Sequence, residues 1–228
     1  MDEDRVGSGP RVAITGGPGA GKRVGTGPYV VITGGPGAGK STLIDRLQEA
    51  GFARSYEAGR GVIQDQVAIG GRALPWADRE LFAELMLGWE LRSYRMASAA
   101  APDTVHAEKA TDAVNAEGMT RTAEAAPVFF DRGIPDIVGY LRLEGLPVPE
   151  HVHAAALGFR YHRSVFVAPP WPEIYRRDAE RRQSYEEAER TYESMVATYT
   201  EYGYEPVPLP RVPVEERTRF VIERLRWD

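Results

Sequence analysis

Glycines, a lysine and a hydroxyl residue are spaced over residues 34–42 as a phosphate-binding loop requires. The segment is GGPGAGKST and fits the pattern G-x-x-x-x-G-K-[ST], with Gly34 and Gly39 at its two fixed glycine positions. Glycines let backbone N–H groups turn inward around a phosphate because no Cβ stands in the way. The residues expected to hold the phosphates of ATP are Gly35, Pro36, Gly37, Ala38, Gly39, Lys40, Ser41 and Thr42.

Two side chains of this loop are expected to have distinct roles in nucleotide binding. Lys40 is expected to reach the β- and γ-phosphates, and the Ser41 hydroxyl is expected to ligate Mg²⁺. A helix that begins near Gly39 would point its positive end at the same anion. The alternative is a glycine-rich turn that binds no nucleotide. An apolar, strand-like run at residues 30–32 and an amphipathic helical pattern after the loop favour the nucleotide site.

A near copy of the loop lies upstream, because residues 12–22 differ from residues 30–40 at one position. In this copy an arginine replaces the magnesium-binding hydroxyl, and two glycines and a proline follow where a helix should begin. We therefore predict a flexible tail over residues 1–28 and a single domain over residues 29–228. In the alternative, the first copy sometimes replaces the second as the central strand, but only the second continues into a helix.

The composition disfavours several classes of partner and site. The 228 residues include 28 Lys and Arg and 33 Asp and Glu, which gives a net charge of −5 and argues against a general nucleic-acid surface. There is no cysteine, hence no disulfide, thiolate zinc site or cysteine nucleophile. The N-terminus lacks the features of a signal peptide and no apolar run is long enough for a membrane span. We therefore expect a cytoplasmic protein without membrane partners.

A second informative segment, residues 127–133, has the sequence PVFFDRG. An apolar run that ends in Asp131 is typical of a buried parallel strand with a carboxylate at its C-terminal edge. Open α/β sheets bind ligands along that edge. Asp131 is therefore expected to hold Mg²⁺ through water, complementing Ser41.

Alternating strand and helix patterns along the chain predict an α/β fold with a parallel sheet covered by helices on both faces. Strands are predicted near residues 30–32, 54–57, 127–131, 164–168 and 205–209. Helices are predicted near residues 41–49, 61–69, 79–97, 135–143, 150–159, 173–202 and 213–226.

The sequence also predicts the structural roles of three further segments. Asp78 is expected to cap the third helix, and an apolar stripe on that helix is assigned to the core: Leu81, Phe82, Leu85, Met86 and Trp89. Residues 98–126 contain hardly any large apolar residue and are predicted to be an insertion without a core of its own. Tyr185, Tyr192 and Tyr199 are seven residues apart, share one helical face and are assigned to packing.

The segments GGPGAGKST, FFDRGIPD and APPWPEIY resemble those of the P-loop kinase group, the nucleoside and nucleotide kinases and their relatives. More closely, they are similar to small bacterial AAA-type predicted ATPases. The resemblance covers residues 29–228 apart from the 98–126 insertion. It implies a five-stranded parallel sheet in the order 2-3-1-4-5 and an arginine-rich lid.

The resemblance also implies roles for particular residues. Asp131 and Arg132 match an acid–arginine pair that serves magnesium and the acceptor, and Glu57 matches the general base at the end of strand two. Four arginines stand where the lid should be: Arg176, Arg177, Arg181 and Arg182. Arg177 and Arg181 are four residues apart, so both guanidinium groups would reach one phosphate. Alternatively, Glu57 only caps a helix or pairs with Arg60, and the lid is a solvated, salt-bridged helix.

The candidates for contact with the acceptor are Arg60, Trp76, Asp136 and Tyr140. Trp76 would stack on a planar acceptor, whereas Asp136 has the alternative of capping the helix that follows it. We expect a magnesium-dependent kinase that moves the ATP γ-phosphate to a hydroxyl or phosphate of a small molecule, nucleoside-like or a natural-product alcohol. The alternatives are an ATP-hydrolysing switch and a regulatory nucleotide-binding module with poor turnover.

Overall fold

The computed structural model describes residues 28–100, 126–173 and 184–225 and contains one five-stranded parallel sheet. The strands are β1 (Tyr29–Gly34), β2 (Ala53–Arg54), β3 (Val128–Asp131), β4 (Ser164–Ala168) and β5 (Glu205–Pro208). Their order is β2-β3-β1-β4-β5, with every neighbouring pair parallel, as expected. Residues 1–27 of the predicted tail and residues 101–125 of the predicted 98–126 insertion lie outside the described residues, whereas residues 98–100 belong to α3.

Helices cover both faces of this sheet, and the alternation of side chains along the strands explains why. Val31 and Phe130 point to one core and Val30, Ile32 and Phe129 to the other, since successive strand residues face opposite sides. The helices are α1 (Lys40–Glu49), α2 (Ala58–Ile69), α3 (Arg79–Ala100), α4 (Ile134–Leu143), α5 (Glu150–Gly158), α6 (Tyr185–Glu201) and α7 (Val214–Leu225). Helices α1 and α7 pack on one face, and α2 to α6 pack on the other.

The second strand ends earlier than predicted, and the second helix begins earlier than predicted. Strand β2 stops at Arg54, and Glu57 is already the N-cap residue of α2. Helix α2 begins at residue 58 because the glycines in its first turn do not break it. Gly61 instead permits close packing, since a Cβ there would lie 2.5 Å from an atom of the Trp89 ring. The helix ends at Gly70, which has a φ of 67°, as the glycine pair predicts.

Helix α3 is capped as predicted, but its buried face is shifted from the expected stripe. The N–H of Leu81 donates to Asp78 Oδ1 at 3.0 Å. Phe82 and Met86 are buried, whereas Leu81 and Leu85 are exposed, so their assignment to the core is wrong. The buried face follows positions four residues apart and continues from Phe82 and Met86 to Glu90.

The prediction of one continuous helix over residues 173–202 is wrong, because Ser184 is the N-cap residue at which α6 begins; residues 174–183 lie outside the described residues. Ser184 has extended backbone angles and forms a capping box, in which the Glu187 N–H donates to Ser184 Oγ at 3.2 Å and the Ser184 N–H donates to the Glu187 carboxylate. The four lid arginines lie outside the described residues.

Candidate functional site

The phosphate-binding loop joins β1 to α1 in the conformation that its glycines allow. Gly34, Gly37 and Gly39 have φ values of 124°, 70° and 72°, a region that residues with a Cβ rarely adopt. A Cβ on Gly34 would lie 2.3 Å from the Ala168 carbonyl oxygen on β4. Gly39 is the N-cap of α1 and has no side chain to cap the N–H groups of the first turn. The backbone donors of this turn therefore suit an anion such as a phosphate.

Lys40 lies inside the curve of the loop. Its ammonium group donates to the carbonyl oxygens of Gly34 at 3.0 Å and of Gly35 at 2.7 Å, and the residue is buried. Ser41, the next residue of α1, is exposed. The buried ammonium, the uncapped helix start and the glycine backbone together fit the triphosphate of a nucleotide.

Arg217 also contacts the loop and was not identified from the sequence. It lies on α7, and its NH1 group donates to the Ala38 carbonyl oxygen at 3.3 Å. Its guanidinium group lies over the Trp171 ring, 5.4 Å from the centroid, and burial lowers the pKa of Arg217. This side chain is remote from the loop in sequence, so no local motif points to it.

Arg132 links two carboxylates at the end of β3. Its Nε donates to Glu57 Oε1 at 3.2 Å, and its NH1 group donates to Asp136 Oδ1 at 3.1 Å. Burial acts to lower the pKa of Arg132, but Glu57, Asp136 and Asp131 together raise that pKa above its ordinary value. Arg132 also has a φ of 72°, a strained conformation for a residue with a Cβ. Glu57 thus forms an ion pair with Arg132.

Asp136 is held by hydrogen bonds from four sides. Its carboxylate accepts from the Gly133 N–H at 3.0 Å, from the Tyr199 hydroxyl at 2.6 Å, from Arg132 and from the Thr33 hydroxyl. It therefore caps α4, which was the alternative considered for this residue. Burial, followed by the charge of Asp136, raises the pKa of Tyr199 well above its ordinary value. The Tyr199 hydroxyl therefore helps to position Asp136, in addition to the packing of the Tyr199 ring.

Asp131 ends β3 beside Ile32 of β1 and is buried. Its backbone N–H donates to the Ser55 hydroxyl at 3.3 Å, which connects it to the segment between β2 and Glu57. No cluster of three or more His, Asp or Glu side chains suited to a metal occurs in the described parts of the chain. A carboxylate and a hydroxyl still fit Mg²⁺, which keeps several waters and is bound largely through substrate phosphates.

A cavity of about 930 Å³ lies between α2, α3, α4 and α6 and reaches the loop at Pro36. All four residues predicted to contact the acceptor line it: Arg60, Trp76, Asp136 and Tyr140. Glu57 and Arg132 line the same cavity. The structure therefore brings the predicted acceptor residues together with Glu57 and Arg132. Glu90 also lines the cavity and was not identified, because its sequence position shows only one acid among many on a long helix.

The sequence matches the family model for an AAA domain over residues 29–109 and 100–217. The chain belongs to this AAA domain family. Among proteins with curated functions, none matches the sequence. In the part of the chain that the structure describes, no helix of this AAA domain protein is long and apolar enough to cross a membrane.

Solved structures share the fold of this AAA domain protein. A NadR protein in complex with NR aligns at a TM-score of 0.57 and 16% identity, over 89% of this chain and 50% of that one. The chain thus spans about half the length of NadR. A deoxyadenosine kinase from M. mycoides, with products dcmp and dcdp, aligns at a TM-score of 0.56 and 13% identity, over 88% of this chain and 100% of that one. At these identities the likeness shows a P-loop kinase-like fold.

Proposed function

We propose that this protein is a magnesium-dependent phosphotransferase that moves the γ-phosphate of ATP to a hydroxyl or phosphate of a small molecule. One observation carries the proposal: the phosphate-binding loop and the Glu57–Arg132 pair border one cavity of about 930 Å³. A transfer enzyme needs an acceptor-sized space beside the phosphates. A hydrolytic switch needs room only for water, so the cavity favours transfer over hydrolysis.

The loop side of the site would hold the nucleotide. Phosphoryl transfer depends on positioning and on neutralising the charge of the transferred group, with little covalent work for the protein. Lys40 and the first turn of α1 supply positive charge and N–H donors to the phosphates. Ser41 and Asp131 would hold Mg²⁺, which neutralises further phosphate charge when it is bound.

The acceptor side would supply the proton transfer and the orientation. Glu57 lies in the cavity wall, where it would accept the proton of the attacking hydroxyl. Arg132 fixes Glu57 through their contact at 3.2 Å and presents positive charge to the transferred group. Asp136 holds Arg132, so we assign it a positioning role. Arg177 and Arg181 remain predicted contacts of the transferred phosphate.

The cavity wall suggests the class of acceptor. Trp76, Tyr140 and Phe82 provide aromatic surface, and Arg60 provides charge and hydrogen-bond donors. A planar, nucleoside-like acceptor fits this combination. The two structural relatives, one in complex with NR and one a deoxyadenosine kinase, are compatible with the same class.

The proposal is tested by incubating the protein with Mg²⁺, γ-labelled ATP and a panel of nucleosides, sugars and antibiotics. We expect label to move to at least one nucleoside-like compound, and removal of Mg²⁺ by a chelator to stop the transfer. If ATP is hydrolysed at a rate that no compound changes and no compound is labelled, the protein is a switch or a regulatory module instead.

A further inference from the structure

Glu90 is a buried acid that the proposed reaction leaves without a role. It lies on α3 in the cavity wall, with 2% of its surface exposed. Its Oε2 atom is buried and has no hydrogen-bond partner among the described residues. Because native proteins pair nearly all of their buried polar groups, an exception of this kind requires an explanation. A ligand in the cavity would supply the missing partner.

The surroundings of Glu90 favour its uncharged form. Burial raises the pKa of Glu90 well above its ordinary value, and the carboxylates of Asp136, Asp131 and Glu57 raise it further, against the opposing effect of Arg132. Phe82 and Met86 stand two turns and one turn before Glu90 on the same helical face, so the approach to the carboxyl along α3 is apolar.

A second polar atom in the same cavity is in a similar position. The Tyr140 hydroxyl oxygen is buried and accepts or donates no hydrogen bond within the described ranges. The Tyr140 ring packs edge-on against Phe82, with 5.6 Å between the centroids. Phe82 and Glu90 are eight residues apart, or about 12 Å along the helix. The cavity thus offers two hydrogen-bonding groups, the Glu90 carboxyl and the Tyr140 hydroxyl, together with the apolar side chains of Phe82 and Met86.

We propose that Glu90 determines the acceptor specificity, because its carboxyl binds an uncharged group that both donates and accepts hydrogen bonds, such as the amide-like edge of a heterocycle. This inference rests on the proposed phosphotransferase function. A protonated carboxyl presents a donor and an acceptor side by side and forms two hydrogen bonds with such an edge. An ammonium group would require an ionised Glu90, which burial and the three nearby carboxylates oppose.

Two variants separate this role from a structural one. Glu90→Met keeps the length of the side chain and removes the unpaired carboxyl, so we expect the melting temperature without ligand to rise by about 2–4 °C. Glu90→Gln keeps a donor and an acceptor without a titratable proton. Because the pKa of Glu90 is higher in the folded than in the unfolded chain, the wild type should lose stability relative to Glu90→Gln as the pH rises above the ordinary pKa of a glutamic acid.

The ligand test uses uridine and adenosine as uncharged probes and kanamycin as a cationic probe, each with an ATP analogue and Mg²⁺. We expect a nucleoside to raise the melting temperature of the wild type and of Glu90→Gln, but not of Glu90→Met. In the transfer assay, KM for the nucleoside should rise about 10- to 100-fold in Glu90→Met. Four results would each overturn the inference. Two concern Glu90→Met: an unchanged response to the nucleoside, or a lower melting temperature without ligand. The other two are the absence of any nucleoside response in the wild type, and a response to kanamycin alone.

Different results would contradict the phosphotransferase function and the role of Glu90 in acceptor recognition. Nucleoside-dependent transfer that is indifferent to Glu90→Met would remove Glu90 from acceptor recognition and leave the phosphotransferase intact. Glu90-dependent nucleoside binding without any labelled product would support the binding role of Glu90 and contradict the transfer reaction.

Discussion

The phosphate-binding loop and the cavity of about 930 Å³ beside it differ in the sequence separation of the residues that contact one another. In the loop, Lys40 contacts carbonyl oxygens five and six residues away. In the cavity, the Arg132–Glu57 contact joins residues 75 positions apart, and the Tyr199–Asp136 contact joins residues 63 positions apart. In the proposed reaction, phosphate would be bound largely by backbone N–H groups of one short segment, whereas an acceptor would be recognised by side chains from several helices.

The difference extends to how each region is held in place. The glycines of the loop adopt positive φ values at no steric cost. On the cavity side the same backbone region is occupied by Arg132, at a cost of about 1–2 kcal/mol for a residue with a Cβ. The hydrogen bonds to Glu57 and Asp136 offset this strain and fix the guanidinium group. The loop is therefore locally determined, and the cavity depends on tertiary contacts.

The largest effect is expected from Lys40→Ala, which tests the loop alone. The change removes the charge directed at the β- and γ-phosphates, so both transfer and hydrolysis should be abolished and the binding of ATP should weaken more than the binding of a nucleoside. Activity and equilibrium binding of both ligands measure this. Lys22→Ala is the matched control in the upstream copy and should leave turnover unchanged. Normal turnover in Lys40→Ala would remove the loop from the site.

A large effect is also expected from Asp131→Asn, where the loop and the cavity meet. An amide is a poorer partner than a carboxylate for the water shell of Mg²⁺, so kcat should fall steeply and recover in part at raised Mg²⁺. Initial rates across a Mg²⁺ titration measure this, with wild type as the reference. Unaltered kcat and Mg²⁺ dependence would exclude Asp131 from metal binding.

The smallest effect is expected from Tyr199→Phe, which loosens the cavity side without touching ligand. The loss of the hydrogen bond to Asp136 should lower the free energy of unfolding by about 1.5–3 kcal/mol. We expect transfer to fall only severalfold, because Arg132 and Gly133 still hold Asp136. Tyr192→Phe, on the same face of α6, is the control. If both variants have the same stability and transfer rate, the Tyr199 hydroxyl has no positioning role.

The sequence predicted the fold and the loop well because both depend on local patterns. Each predicted strand overlaps an observed one, although β2 shares only Arg54 with its prediction, and the loop motif needed only nine consecutive residues. Glu90, Arg217 and the Tyr199 hydroxyl were missed because their significance comes from burial and from partners remote in sequence. The late start of α6 was missed for another reason. Ser184 and Glu187 are a local capping signal that the run of charged residues obscured.

The Glu57→Gln variant decides whether a hydroxyl or phosphate acceptor receives the γ-phosphate with Glu57 as the base. Labelled product and free phosphate must be followed separately, together with ATP affinity. We predict that ATP affinity is kept and transfer falls by about 10²–10⁴-fold, the usual contribution of a general base. The claim is contradicted if no acceptor is ever labelled and wild type and Glu57→Gln hydrolyse ATP equally.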